Sequence, residues 1–256
     1  MVHTSSTEPV DGGMAMLSVS RTFSDGVGVH DLSLRVAPGE VHALVGLNGA
    51  GKSTLMKLLL GMLRPDSGRV MVGGHDTANA PAGVWAAVGH LVETPLAYRE
   101  LTVAGNLQAN ATLQGVTADQ RKAVVGAAVK EFGLAAFSAK RARVLSSGNR
   151  QRLGLAAALQ HRPRFVVLDE PTNALDPAGT ILLRDVLRRR ADDGAAILIS
   201  SHHLDEVARV ADRITVMNAG RLIGGLDPTG AELEQAFFAV VLADDEARSE
   251  PQGSAS

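Results

Sequence analysis

Gly46-Leu47-Asn48-Gly49-Ala50-Gly51-Lys52-Ser53, followed by Thr54, decides how the rest of the chain is read. The stretch fits G-x-x-x-x-G-K-[ST], a phosphate-binding loop. The run Glu40 to Val45 before it reads as a buried strand, and Leu55 to Leu60 after it reads as a helix. The motif therefore sits where its chemistry needs it, between a strand end and a helix N-terminus. Gly46, Gly49 and Gly51 let the backbone curl around an anion with its N–H groups turned inward. The helix dipole adds roughly half a positive charge at the same place. Lys52 can reach the β- and γ-phosphates of a nucleotide, and the Ser53 hydroxyl can bind Mg²⁺.

The bulk numbers set wide limits. A chain of 256 residues that is 45% hydrophobic buries a substantial core, as one large domain or two small ones. Its 25 basic and 27 acidic residues leave a net charge of −2, which gives no global attraction to nucleic acid or to an anionic membrane. Cysteine is absent, so disulfides and thiolate metal sites are excluded. The eight histidines are scattered, without zinc-ligand spacing. Residues 1–13 lack a basic start and an apolar stretch, and read as a loose tail rather than a signal peptide. No stretch reads as a membrane span, because the run Leu101 to Ala118 is broken by Gly, Asn, Gln and Thr.

Outward from the loop, residues 14–36 alternate as short strands, with Phe23 between them. An exposed Phe23 could stack on adenine, and a buried one would be ordinary hairpin core. Trp85 to Val92 reads as a buried strand with Glu93-Thr94-Pro95 at its end. Glu93 there either faces the ligand crevice of an open α/β sheet or is a solvated loop carboxylate. From about Leu101 to Gln160 the strand pattern gives way to helices, an all-helical insertion. It ends in Leu145-Ser146-Ser147-Gly148-Asn149-Arg150-Gln151-Arg152, where Ser-Ser-Gly before a helix offers either a second anion site or a plain N-cap.

Phe165 to Leu168 reads as a buried strand closed by Asp169 and Glu170. Two carboxylates at such a place are costly unless they bind something. Beside a phosphate loop, Asp169 can hold Mg²⁺ through water and Glu170 can take a proton from an attacking water. Asn173 to Pro177 turns into a helix ending in Arg188-Arg189-Arg190, read as a solvated helix end. Ala195 to Ile199 is a further strand, and beyond it His202 can donate to a phosphate oxygen or be an ordinary core or surface histidine. Residues 213–225 form a hairpin and 229–242 an amphipathic helix. The polar tail 243–256 reads as disordered.

These motifs, in this order, resemble the nucleotide-binding subunit of ABC transporters over about residues 14–242. The stretch Leu145 to Asn149 is similar to the family signature LSGGQ, with Ser147 in place of the first glycine and Asn149 in place of glutamine. The resemblance implies an α/β fold, a P-loop NTPase sheet core with an N-terminal antiparallel β subdomain and an inserted α-helical subdomain at about 97–160. It implies ATP and Mg²⁺ as cofactors and ATP hydrolysis coupled to transport. The ATP site would be formed by residues 46–54, with Phe23 as the adenine-stacking ring. Ser146, Gly148 and Asn149 would touch the ATP of a second, identical subunit, and Asp176 would lie in the loop that meets that subunit. His202 takes the switch-histidine position and Glu170 that of the base. Glu93 stands where most of the family has glutamine, near metal and water.

The segment Val88 to Pro95, with Leu101-Thr102 after it, resembles the subgroup that exports lantibiotics and bacitracin-type peptides. A separate membrane permease is implied as partner, with the chain held at the cytoplasmic face of the membrane and no nucleic acid involved. Two alternatives stand beside this reading. One is a soluble ABC-type ATPase acting on ribosomes or DNA, and the other is a nucleotide kinase or GTPase with the same phosphate loop.

Overall fold

A computed structural model describes residues 12–93 and 97–249. The expectations for Thr94 and Pro95, for residues 1–11 and for 250–256 lie outside the described residues. The chain opens with β1 (Met14–Thr22) and β2 (Gly28–Val36), which pair antiparallel. β3 (Val41–Val45) runs into the phosphate loop and α1 (Lys52–Leu59). β4 (Ser67–Val72) and the short β5 (His75–Asp76) then complete a four-stranded antiparallel sheet of order β2-β1-β4-β5.

Next come α2 (Ala82–Ala86) and β6 (Val88–Leu91). Trp85 thus lies in a helix rather than at the start of a strand. Its ring packs beside Gly61 at the end of α1, so tertiary contact outweighs its strand preference. The helical insertion contains α3 (Val103–Leu113), α4 (Ala118–Glu131), two single-turn 3-10 helices and α5 (Ser147–Leu159). β7 (Phe165–Leu168), α6 (Pro177–Asp192), β8 (Ala196–Ser201) and α7 (Leu204–Ala208) follow. β9 (Arg213–Asn218) and β10 (Arg221–Leu226) form the hairpin, and α8 (Leu233–Ser249) closes the described chain.

The central sheet has the order β10-β9-β3-β8-β7-β6. β9, β3, β8, β7 and β6 are parallel, and β10 adds an antiparallel edge. Its inner strands are buried on both faces, which explains why they read as continuous apolar runs. Val41, Ala43, Val45, Val166, Leu168, Ile197 and Ile199 face the core shared with the helices. Leu44, Phe165, Val167, Ala196 and Leu198 face α1 and the antiparallel sheet. Each buried Val, Leu, Ile or Phe among them contributes roughly 1.5–3 kcal/mol. All the parallel strands end at one edge, and in sheets of this kind the crevice at that edge takes the ligand.

Two expectations are corrected by the partners of charged side chains. α8 runs on to Ser249 rather than giving way to disorder at 243, because Asp244 and Asp245 accept hydrogen bonds from Asn218 Nδ2, each at 2.8 Å, and pair with Arg248. Arg190 is buried, not a solvated helix end. Its guanidinium meets Glu131 at 2.8 Å, tying α6 to α4, while Arg188 pairs with Asp212 at 2.9 Å. No described helix is long and apolar enough to cross a membrane.

Candidate functional site

The phosphate loop joins β3 to α1 as its spacing demands. Gly46 has no room for a side chain, since a Cβ there would lie 2.3 Å from the Met217 carbonyl oxygen. Gly51 caps α1 at φ 107°, a left-handed conformation open to glycine. The Lys52 side chain is buried. Its ammonium donates to the Gly46 carbonyl at 2.7 Å and the Leu47 carbonyl at 3.4 Å, and lies 3.6 Å from Glu170 Oε1. Those carbonyls hold the charge at the mouth of the loop, where phosphate oxygens can take their place. Asn48, Gly49 and Ala50 complete the turn, with the Ala50 N–H donating to the Leu47 carbonyl at 3.1 Å, and Thr54 follows Ser53 in the first turn of α1.

The acid pair stands beside it. Ser53 Oγ, in the first turn of α1, donates to Asp169 Oδ2 at 2.5 Å. Ser200 Oγ donates to Asp169 Oδ1 and accepts the Glu170 N–H at 2.9 Å. Glu170 takes a positive φ of 46°, uncommon for a residue with a side chain. That turn sends its carboxylate toward Lys52 on one side and His202 on the other, with His202 Nδ1 2.8 Å from Glu170 Oε2. Lys52, Asp169, Glu170 and His202 therefore converge from three separate strand ends. A cleft of about 460 Å³ lined by Gly46, Leu47, His202, His203 and Phe237 opens alongside.

Ser146 caps α5 and accepts the Asn149 N–H at 3.3 Å, with Gly148 in the first turn. Within one chain the plain N-cap is what this stretch forms. Gln151, in the same helix, donates to the Pro171 carbonyl at 2.9 Å, just past the acid pair. Arg152 pairs with Asp176 at 2.5 Å, and this contact, ahead of the Gly179 N–H that Asp176 also accepts as N-cap of α6, holds the Asp176 carboxyl below its ordinary pKa. The signature helix is thus pinned at two points to the segment after β7.

Phe23 lies in the β1–β2 turn with its ring partly exposed and the Arg21 guanidinium over it at 5.5 Å, so it is not hairpin core. Glu93 is exposed, at a positive φ of 68°, and its carboxylate meets the Lys57 ammonium one turn along α1 from Ser53.

Sequence reasoning passed over Ser200, Lys57, Gln151 and Arg152. Ser200 was within reach: the parallel register Leu168↔Ile199 places the next residues, Asp169 and Ser200, side by side. The other three depend on how the helices pack and carry no such signal.

The sequence profile of the ABC transporter family matches residues 29–173, which contain the phosphate loop, the signature stretch and the acid pair. The chain belongs to the ABC transporter family. An overlapping match to an AAA domain covers residues 139–208. The chain is 36% identical to the daunorubicin resistance ATP-binding protein DrrA3 of Streptomyces coeruleorubidus, over 91% of this chain and 74% of that one. It is 37% identical to the bacitracin transport ATP-binding protein BcrA of Enterococcus faecalis, over 80% and 66%. It is 33% identical to the lantibiotic transport ATP-binding protein SrtF of Streptococcus pyogenes, over 82% and 89%. A solved structure described as the ATP-binding subunit of an ABC transporter superposes with a TM-score of 0.78 at 25% identity, over 92% of this chain and 98% of that one.

As an ABC ATPase the chain binds ATP and hydrolyses it. The kinase and GTPase alternative falls away, and the relatives include the bacitracin and lantibiotic proteins toward which the segment at Glu93 pointed. The Ser53 hydroxyl and the Asp169 carboxylate are hard oxygen donors of the kind Mg²⁺ takes. Among the described residues no three His, Asp or Glu side chains group as a metal cage. Magnesium binds proteins through one or two oxygen side chains beside substrate phosphates and water, so Ser53 and Asp169 fit it.

Proposed function

We propose that this chain, as an ATPase domain over residues 14–242, drives export of a drug-like compound or peptide antibiotic through a separate membrane permease. The observation that carries the reading is the convergence of Lys52, Asp169, Glu170 and His202 at one strand edge, in a chain whose relatives serve daunorubicin resistance, bacitracin transport and lantibiotic transport. Permease binding places the subunit at the cytoplasmic face of the membrane.

In this reading the loop amides and Lys52 bind the β- and γ-phosphates, and Phe23 stacks on adenine. Ser53 and Asp169, with Glu93 nearby, would hold Mg²⁺, which neutralises the triphosphate charge when bound. Glu170 accepts a proton from the attacking water, and His202 turns from Glu170 to the γ-phosphate. Two copies meet head to tail, so that Ser146, Gly148 and Asn149 of one face the ATP of the other, with Asp176 in the loop between them.

The test is ATP hydrolysis with and without host membranes containing the permease. Stimulation of hydrolysis by those membranes supports the transporter reading. A rate indifferent to them but raised by ribosomes or DNA would replace it with a soluble ABC ATPase.

A further inference from the structure

β8 lies between β3 and β7, with the phosphate loop at the end of one neighbour and the acid pair at the end of the other. Ser200 stands opposite Leu44 of β3 and one residue past the Leu168↔Ile199 pair with β7. It is fully buried, and a buried hydroxyl is costly unless it is hydrogen-bonded. Ser200 Oγ uses both its capacities: it gives its one proton to Asp169 Oδ1 and accepts the Glu170 N–H at 2.9 Å. Each contact bears on the chemistry. With Oδ1 held by Ser200, the other Asp169 oxygen, Oδ2, is the one aimed at Ser53. The Asp169 N–H still reaches the Leu91 carbonyl of β6 at 2.7 Å, whereas the Glu170 N–H is taken by the Ser200 side chain. That bond is made where Glu170 turns to a φ of 46°, a conformation that persists only when its surroundings hold it. The same turn sets the Glu170 carboxylate 3.6 Å from Lys52 and 2.8 Å from His202.

We propose that Ser200 is a positioning residue for ATP hydrolysis. Its one hydroxyl fixes both the Asp169 oxygen that faces the metal and the backbone turn that aims Glu170 at the attacking water. Without it, Asp169 is free to rotate and Glu170 to relax out of the left-handed conformation, so metal and base lose their common alignment. The inference rests on the reading of Asp169 as metal ligand and Glu170 as base.

The test uses the full chain with Ser200→Ala, Ser200→Val and Ser200→Thr. Val and Thr share one shape and differ by the hydroxyl. Each variant is titrated with ATP by calorimetry, in EDTA and in magnesium, and its turnover is measured at saturating magnesium-ATP. Affinity for ATP in EDTA should match that of the unaltered chain, because Lys52 and the loop amides are untouched, and this also shows that the variant is folded. In Ser200→Ala and Ser200→Val the extra affinity conferred by magnesium should fall about tenfold and turnover roughly 10–100-fold, the usual cost of losing a group that orients a metal ligand. Ser200→Thr should recover most of both. In a Glu170→Gln background, Ser200→Ala should lower turnover no further, since residues that act as a unit are not additive. Normal turnover by Ser200→Ala, beside an impaired Glu170→Gln, overturns the proposal and leaves Glu170 as the base. Ser200→Thr no better than Ser200→Val overturns it too, and an undiminished magnesium effect overturns its metal half. Normal turnover by Glu170→Gln overturns instead the reading on which the proposal rests. If Val or Thr fails to bind ATP in EDTA, Ser200→Ala and its double variant with Glu170→Gln decide.

Discussion

The Ser53 hydroxyl donates to Asp169 Oδ2 at 2.5 Å across 116 residues of sequence, joining the first turn of α1 to the end of β7. Parallel strand order makes the meeting possible, since β3 and β7 flank β8 and end at the same edge. Ser200, at the end of β8 between them, holds the other Asp169 oxygen and the Glu170 amide. The phosphate loop and the acid pair are thus one hydrogen-bonded unit, and Lys52 and Glu170 face each other across it at 3.6 Å.

Lys52→Ala removes the ammonium that the loop carbonyls now hold. ATP affinity should fall about 10–100-fold, the worth of one or two charged hydrogen bonds. The fold should survive, because the carbonyls released can turn to water. Calorimetric titration with ATP checks this, and equal affinity in variant and wild type would refute the assignment of the loop.

His42 lies buried in β3, with Nε2 2.7 Å from Thr215 Oγ1 and Nδ1 3.1 Å from the Arg35 carbonyl. Burial first, and Arg213 second, lower its pKa from 6.5 to about 4. The folded chain then binds fewer protons than the unfolded chain between those values, so stability falls as pH drops from about 6.5 toward 4. The loss reaches up to about 3 kcal/mol below that window and is absent above it. His42→Gln should be less stable at pH 7 yet lose less on acidification. Urea denaturation of both proteins from pH 7 down to about pH 4.5 reads this directly. Parallel curves would show that His42 carries no such linkage.

The parallel core, the phosphate loop and the acid pair were legible because each is local: a short apolar run and the residues at its end. Phe23 could be placed only by the structure, since core and exposed rings share the same neighbours in sequence. Trp85 was misread because the boundary between α2 and β6 lies inside one apolar run, Val84 to Val92, and only packing against Gly61 places the ring. Arg190 and the last turns of α8 were misread for a common reason. Arg190 is paired with Glu131 and the carboxylates of α8 accept hydrogen bonds from Asn218, both far along the chain, and a polar stretch shows nothing of its partners.

Glu93 lies in an exposed ion pair with Lys57, worth at most about 1 kcal/mol, so neither Glu93→Ala nor Glu93→Gln should unfold the chain. If the carboxylate serves the metal site and faces the permease, Glu93→Ala should lower transport more than ATP binding. Gln keeps the shape and a hydrogen bond, so Glu93→Gln should retain part of the activity. Transport in vesicles and ATP titration, made on the same variants, test the split. Undiminished transport by Glu93→Ala would leave the residue a solvated partner of Lys57.

Glu170→Gln keeps the volume of the side chain but cannot take a proton from water. Hydrolysis should fall roughly 10²–10⁴-fold, the usual worth of a positioned base. ATP binding should persist, because Lys52, Ser53 and the loop amides are untouched. With turnover blocked, the nucleotide stays between two chains, and the variant should gather as a dimer in ATP and magnesium. Adding Ser146→Arg sets a bulky cation at the start of α5, where the signature is expected to face the partner's nucleotide, and should abolish that dimer. The same change removes the Ser146 cap on Asn149, at a cost of roughly 0.5–2 kcal/mol. Ser146→Asn is the control, since asparagine caps a helix as well as serine without adding charge. Size-exclusion chromatography with light scattering, with and without ATP and with the permease present, separates the outcomes. Normal hydrolysis by Glu170→Gln would show that another group is the base. A dimer that survives Ser146→Arg would show that the signature does not meet a partner's ATP.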